Sequence, residues 1–360
     1  MAASAEVATT NDPPLVDSYC ALLLGDELGS GSGFVPAPQA LSAESLTVLQ
    51  RDLPMIDLKC LTSGEARERD VCADAMASAA SEWGFFQVTN HGVRRELLEE
   101  MRREQAVLFH QPFDTKEKAG LVDGSYRWGN PTATSLRQLS WSEAFHVPLA
   151  SICGEDGEHA QLSSLRGVMQ EVADAMSRVA DTVAGTLARN LGHAGSTFPA
   201  AAGPFTFGCD GTTCFLRLNR YPACPFADTF GMVPHTDSDF LTIVCQDQVG
   251  GLEIMNGSHW VAVKPHPDAL VVNVGDLFQA WSNNRYKSVE HKVVANSKAE
   301  RFSIAYFLCP SHDSLIGTCG KPSPYRPFTF GEYRRKVQDD VRQTGKKIGL
   351  PNFLKCSTIS

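Results

Sequence analysis

The residues with the greatest chemical potential in this chain stand together at Pro234-His235-Thr236-Asp237-Ser238-Asp239. A histidine and an aspartate two apart in extended backbone project to the same side, so an imidazole nitrogen and a carboxylate oxygen can meet at one metal ion. The pair alone is a weak signal. With 10 histidines and 41 acidic residues in 360, about one such pair arises by chance, and the chain has a second, His266-Pro267-Asp268, whose neighbouring prolines mark a solvated turn.

A third ligand is available downstream. His291 sits in the strand-like run Ser288-Val289-Glu290-His291-Lys292-Val293-Val294, and beyond it comes Arg301-Phe302-Ser303-Ile304-Ala305-Tyr306. In a strand, Arg301, Ser303, Ala305 and Phe307 share one face, while Phe302, Ile304, Tyr306 and Leu308 share the other. A guanidinium and a hydroxyl on the inner face of a barrel are costly to bury unpaired. A bound carboxylate gripped by both would satisfy them. Two histidines and one carboxylate on one face of an octahedral ion are the ligand set of non-haem Fe(II) oxygenases, with positions left for a chelating 2-oxo acid and for O2. The same three ligands could hold zinc in a hydrolase, but a zinc site gives no reason for the Arg-x-Ser that follows.

Such a site needs a scaffold of strands. Short runs at Cys214–Leu218, Leu241–Cys245, Leu252–Ile254, Trp260–Val263, Leu270–Val274 and Phe302–Leu308, punctuated by Gly, Pro, Asn and Asp, predict an antiparallel barrel or jelly roll. Upstream, Val71, Ala75, Ala79 and Trp83, with Cys72, Met76 and Ala80 beside them, predict a helix with one buried stripe. Phe85-Phe86-Gln87-Val88 reads as a strand and Asn90-His91-Gly92 as its turn. Val168, Val172, Met176, Val179, Val183, Leu187 and Leu191 predict a long helix, and an amphipathic helix covers Phe330 to Lys346. The expected fold class is α+β, mainly β: a double-stranded β-helix (jelly-roll) core flanked by helices. The expected organisation is a flexible arm over 1–50 with a short helix near Tyr19 to Leu24, a mostly helical region over 51–200, the dioxygenase-type core over 201–330, and a C-terminal helix and tail over 331–360.

Composition narrows the partners. At 43% hydrophobic and 20% charged, the chain is an ordinary globular one. A chain of this length buries roughly 75% of its unfolded surface, so no disulfide is needed to hold a core. The balance of 32 basic against 41 acidic residues, net −9, speaks against nucleic acid as a partner. Residues 1–50 contain no Lys or Arg, which argues against a secretory or transit peptide, and no segment has the length and apolarity of a membrane span. The 11 cysteines include no Cys-x-x-Cys pair and read as reduced, mostly buried thiols of a cytoplasmic chain.

The combination of His235-Thr236-Asp237, His291 and Arg301-Phe302-Ser303, with Asn219-Arg220-Tyr221-Pro222 upstream, resembles the plant 2-oxoglutarate- and Fe(II)-dependent dioxygenases. The resemblance covers nearly everything after Leu53, including Trp83-Gly84-Phe85-Phe86-Gln87-Val88-Thr89-Asn90-His91-Gly92. Tyr126-Arg127-Trp128-Gly129, Pro131-Thr132-Ala133-Thr134-Ser135 and Leu139-Ser140-Trp141-Ser142-Glu143-Ala144-Phe145-His146 make it most similar to the gibberellin 2-oxidases acting on C20 gibberellins. The resemblance implies that His235, Asp237 and His291 bind Fe(II), and that Arg301 and Ser303 hold the distal carboxylate of 2-oxoglutarate. It adds Tyr221 and Asn219 as further contacts to that cosubstrate, O2 as oxidant and ascorbate as reductant. The implied reaction is 2β-hydroxylation of a C20 gibberellin precursor, in the cytoplasm and also the nucleus. Ala223 departs from the second proline many relatives carry there.

A gibberellin presents carboxylates on a rigid apolar skeleton, so its site should pair arginines with apolar walls. Arg127 and Arg137 are the candidate arginines, and Phe240 and Tyr306 the candidate walls. The orientation of Tyr306 opposite to Arg301 counts against it. His91 reads as a cap, Trp83, Phe85 and Phe86 as core, and Asp276 as a turn former. Arg334-Arg335-Lys336 and Lys346-Lys347 read as the wet face of the last helix. Two other functions fit the same residues: a dioxygenase acting on a flavonoid or other plant metabolite, or a non-catalytic jelly roll that binds a small acid.

Overall fold

Between Phe215 and Leu308, β-branched and aromatic runs alternate with turn formers, and each run becomes a strand. The computed structural model describes residues 11–29, 49–118, 125–152, 163–193, 213–320 and 322–355. Its larger sheet has eight strands, in the order Met55–Asp57, Phe85–Thr89, Leu270–Val274, Leu241–Gln246, Arg301–Leu308, Phe215–Tyr221, Glu143–Pro148, Tyr126–Trp128. The smaller has five, in the order Leu49–Arg51, His259–Val263, Leu252–Asn256, His291–Val294, Phe230–His235. Pro234 is tolerated because its strand lies at the edge of the smaller sheet, where a missing N–H breaks no ladder. The fold is a jelly roll with helices packed on it.

Alternation along the larger sheet separates its two faces. Leu216, Leu218, Ile243, Cys245, Ile304, Tyr306 and Leu308 are buried in one core with Val172, Met176, Val179, Val183 and Leu187 of the helix Ser163–Asn190. The other face, carrying Arg217, Asn219, Thr242, Ser303 and Arg301, looks into a cavity.

Several expectations change in three dimensions. The region 51–200, beside its helices, supplies four strands to the larger sheet: Met55–Asp57, Phe85–Thr89, Tyr126–Trp128 and Glu143–Pro148. In the helix Ala66–Glu82, the buried stripe is Cys72, Met76, Ala79 and Ala80, while Val71 is 62% exposed, one position out of phase. The arm is docked over its described part. The helix Leu15–Gly29 places Leu15 with Leu139, Trp141 and Cys224, and Tyr19 stacks on Phe226 with centroids 3.7 Å apart. Just before it, Asp12 pairs with Arg220 at 2.7 Å, and the Asn11 carbonyl accepts from Lys116 Nζ at 2.7 Å. Lys116 is fully buried and bonded to buried Glu143 at 2.6 Å, which also takes Arg220 at 2.6 Å. Removing one member of such a group would leave a buried charge uncompensated. No helix among the described residues is long and apolar enough to cross a membrane.

One buried acid in the helix layer makes a stability prediction. Asp181 lies near Tyr306 and Cys214, its Oδ1 has no partner, and burial pushes its pKa up to about 7. A raised carboxyl pKa contributes stability that is complete below the unfolded value and disappears as pH rises through the folded one. Asp181→Asn should therefore melt higher than the parent at pH 8 by about 2–4 °C, the gap closing toward pH 4. Thermal scans across that range test it, and parallel curves would count against it.

Candidate active site

His235 ends its strand, and Asp237 follows in the turn beyond it, while His291 begins a strand of the same sheet. His235 and His291 are direct antiparallel partners, which brings their rings to 4.3 Å centroid separation. Asp237 Oδ1 lies 3.6 Å from His235 Nε2 and 3.7 Å from His291 Nε2. One ligand atom from each of the three falls within 4.8 Å of the others, a spacing that suits a single metal ion.

The surroundings leave those atoms free for a metal. His235 Nδ1 donates to the Val233 carbonyl at 2.8 Å and His291 Nδ1 to the Val289 carbonyl at 3.1 Å, so both Nε2 atoms carry a lone pair toward Asp237. The other carboxylate oxygen, Oδ2, accepts from Thr242 Oγ1 at 2.6 Å and Asn273 Nδ2 at 2.7 Å. Burial alone would raise the Asp237 pKa, but His291, His235 and Thr242 hold it well below the usual carboxylate range. Burial, and then His235, push His291 down to about 4 against the pull of Asp237. The anion and the neutral imidazole are the forms a metal takes.

Backbone contacts fix the turn. Asp276 N donates to the Asp237 carbonyl and Leu277 N to the Asp239 carbonyl, both at 3.0 Å. A Cβ on Gly275 would come 2.2 Å from the Asp239 carbonyl oxygen, so this close approach requires glycine. Asp276 is more than the turn former expected. Its Oδ2 accepts from Lys347 Nζ at 2.7 Å, from Thr236 Oγ1 at 3.2 Å and from the Tyr333 hydroxyl, tying the C-terminal helix to the turn. Thr242→Val should weaken Fe(II) binding about 10–100-fold by removing one of the two donors that fix Oδ2. Metal titration checks this, and unchanged affinity would remove Thr242 from the support.

The cosubstrate candidates occupy successive rows of the larger sheet. Arg301 pairs with Tyr221 in register, and Ser303 pairs with both Asn219 and Gln246. The Arg301 guanidinium lies 4.9 Å from the Tyr221 ring centroid and donates from NH2 to Gln246 Oε1 at 2.9 Å. Asn219 Nδ2 donates to Ser303 Oγ at 3.3 Å. Arg301 is 3% exposed, and its Nε and NH1 are buried with no partner. A buried guanidinium with two orphaned donors fits a bound carboxylate.

One cavity of about 410 Å³ contains all seven of these side chains, with Phe85, Met232, Leu252, Val293, Phe307 and Val337 among its apolar walls. The substrate candidates fare differently. Phe240 and Tyr306 are buried in the opposite core: alternation turns Tyr306 away from the cavity, and Phe240 precedes the strand Leu241–Gln246, outside its alternation. Arg127 and Arg137 are exposed and do not line it. Besides Arg301, the arginines that do are Arg217 and Arg334, and Lys347 joins them, so the basic clusters of the last helix are not wholly a wet face. Arg335 is exposed, as a wet face requires, while Lys336 pairs with the buried Asp340 at 2.9 Å. His266 and Asp268 lie in a loop, and His91 Nδ1 accepts from Val93 N at 3.2 Å as a cap.

Residues 212–310 match the 2OG-Fe(II) oxygenase superfamily, and residues 53–163 match the family described as non-haem dioxygenase in morphine synthesis N-terminal. The chain belongs to the 2OG-Fe(II) oxygenase superfamily. It is a 2-oxoglutarate-dependent dioxygenase that uses Fe(II) and 2-oxoglutarate and acts on a small molecule. It is 71% identical to gibberellin 2-beta-dioxygenase 6 of Oryza sativa subsp. japonica over 360 residues, all of both chains. It is 47% identical to gibberellin 2-beta-dioxygenase 8 of Arabidopsis thaliana over 345 residues, 95% of this chain and 98% of that one. Among solved structures, JOX2 in complex with 2OG, Fe and JA is similar at a TM-score of 0.70 and 30% identity, covering 92% of this chain and 97% of that one.

Proposed function

We propose that the chain inactivates gibberellins by 2β-hydroxylating a C20 precursor, with His235, Asp237 and His291 holding Fe(II) and Arg301, Ser303, Tyr221 and Asn219 holding 2-oxoglutarate. The observation that carries the reading is the single cavity in which the three-ligand cluster and the half-partnered Arg301 open onto apolar walls. Full-length identity to a gibberellin 2-beta-dioxygenase supports the choice of substrate. Bound at this cluster, Fe(II) supplies the redox chemistry by which O2 converts 2-oxoglutarate to succinate and CO2 and a substrate C–H bond to C–OH.

The chain's own share is placement. Val233 and Val289 fix the imidazoles, Thr242 and Asn273 fix the carboxylate, and Arg301 with Ser303 sets the depth at which the keto acid lies. Phe85, Leu252, Val293 and Phe307 exclude water and present the apolar skeleton to the metal side. The cytoplasm, which keeps thiols such as Cys72 and Cys245 reduced, suits the chain's cysteines. Incubation with Fe(II), 2-oxoglutarate and a panel of C20 and C19 gibberellins, followed by mass spectrometry, tests the reading. One added oxygen on a C20 substrate, matched by succinate, is expected. Unchanged gibberellins beside a hydroxylated flavonoid would overturn it.

A further inference from the structure

Arg217, on the strand Phe215–Tyr221, and Arg334, on the helix Phe330–Thr344, both reach the cavity. Neither has a carboxylate within ion-pair distance among the described residues. Arg217 uses only Nε, on Asn219 Oδ1 at 2.9 Å, and Arg334 lies over the Phe330 ring at 5.7 Å. In a chain of net charge −9, two guanidiniums lining a largely apolar cavity, with its carboxylates beyond ion-pair distance of them, are out of place unless an anion arrives there.

A neutral imidazole and a third guanidinium stand close by. His146 is the cross-strand partner of Arg217, and its ring packs on Phe215 at 4.0 Å. Burial first, and then Arg217, Arg334 and Arg127, push the imidazole down to about 4, so three guanidiniums bear on one point and His146 adds no charge there at neutral pH. Arg127 itself is exposed and bonds from NH1 to the Tyr126 carbonyl at 2.7 Å. Along the sheet, Arg217 stands one same-face step, roughly 6–7 Å, from Asn219, and two steps from Tyr221, the register partner of Arg301. The cluster is therefore separate from the guanidinium assigned to 2-oxoglutarate, yet within a small molecule's length of it.

We propose that Arg217 and Arg334 form a carboxylate-reading subsite that selects substrates with two free carboxylates, one guanidinium meeting each. The inference rests on the gibberellin reading above and deepens it: a C20 gibberellin diacid would be preferred to a C19 gibberellin, in which one of those carboxyls is closed as a neutral lactone. Losing a charged partner leaves a guanidinium desolvated and unpaired, which is the strongest form of discrimination a polar site offers.

The test compares kcat/KM for a C20 gibberellin diacid, its two monomethyl esters and a C19 lactone, in the parent and in Arg334→Gln, Arg217→Gln and Arg334→Lys. Because the readout is a ratio within one preparation, partial misfolding cancels. In the parent, each ester and the lactone should fall at least about 10-fold below the diacid. Both Gln variants should shrink that ratio several-fold, and Arg334→Lys should keep most of it. A parent that accepts diacid and esters equally, or Gln variants that leave the ratio unchanged, would overturn the subsite while the gibberellin reading stands. A parent that forms succinate from 2-oxoglutarate but oxidises no gibberellin would sink that reading and this one together.

Discussion

Asp237→Ala should leave the protein folded, free of Fe(II), and slower by at least about three orders of magnitude, equivalent to roughly 4 kcal/mol of transition-state stabilisation. The expectation follows from how the carboxylate is divided. Oδ2 is committed to Thr242 and Asn273, while Oδ1 faces both Nε2 atoms at 3.6 and 3.7 Å. No other described acid can take that position without breaking the turn. Asp239 is the nearest, but burial, the largest cause of its raised pKa, remains in the variant and disfavours its anion, and its carbonyl is pinned by Leu277. Alanine leaves the Asn273 donor unmet, at about 1–3 kcal/mol, leaves Thr242 only its longer contacts to Asp239 at 3.3 and 3.4 Å, and relieves the repulsion between two neighbouring buried carboxyls. The two changes oppose each other, so the melting temperature of the metal-free protein should move little. Iron stoichiometry, turnover and a thermal scan are the measurements. Parent-like iron content with parent-like turnover would remove Asp237 from the metal site.

How far the sequence announces this arrangement depends on the range of the signal. Strand alternation is local, so Arg301, Ser303, Ala305 and Phe307 are legible as one inward face and all four line the cavity. The same rule places Phe215, Arg217, Asn219 and Tyr221 on one face, and Arg217 could have been found from it. Phe330, Arg334, Val337 and Val341 likewise follow helical spacing, and an arginine within that apolar stripe is the sign that it turns inward. What no local pattern announces is partnership across the chain. Lys116 looks like a surface lysine until Glu143 and the Asn11 carbonyl are brought to it. Strand Glu143–Pro148 joins the core only because Phe215–Tyr221 offers it an edge. Val71 fits a four-residue repeat as well as Cys72 does, and only the turn Leu58–Thr62, the helix Ser163–Asn190 and the sheet, all packed against the helix Ala66–Glu82, decide which of the two is buried.

Arg301→Ala should raise the 2-oxoglutarate requirement about 100–1000-fold, the loss of roughly 3–4 kcal/mol from a charge-assisted pair, while the gibberellin KM changes only a few-fold. The asymmetry comes from where the guanidinium sits. It is 3% exposed, stacked over Tyr221 and fixed through NH2 to Gln246, so Nε and NH1 are oriented before any ligand arrives. A keto diacid reaching from the metal cluster into this end finds a fork already set to receive its distal carboxylate, and little ordering entropy remains to be lost. Arg301→Lys keeps the charge but not the fork, so it should recover part of the affinity and fall between the two. Succinate release measured against 2-oxoglutarate at saturating gibberellin, and the converse titration, separate the two constants. Equal increases in both would place Arg301 with the substrate; a lysine variant indistinguishable from alanine would mean that packing against Tyr221, rather than charge, is what the position supplies.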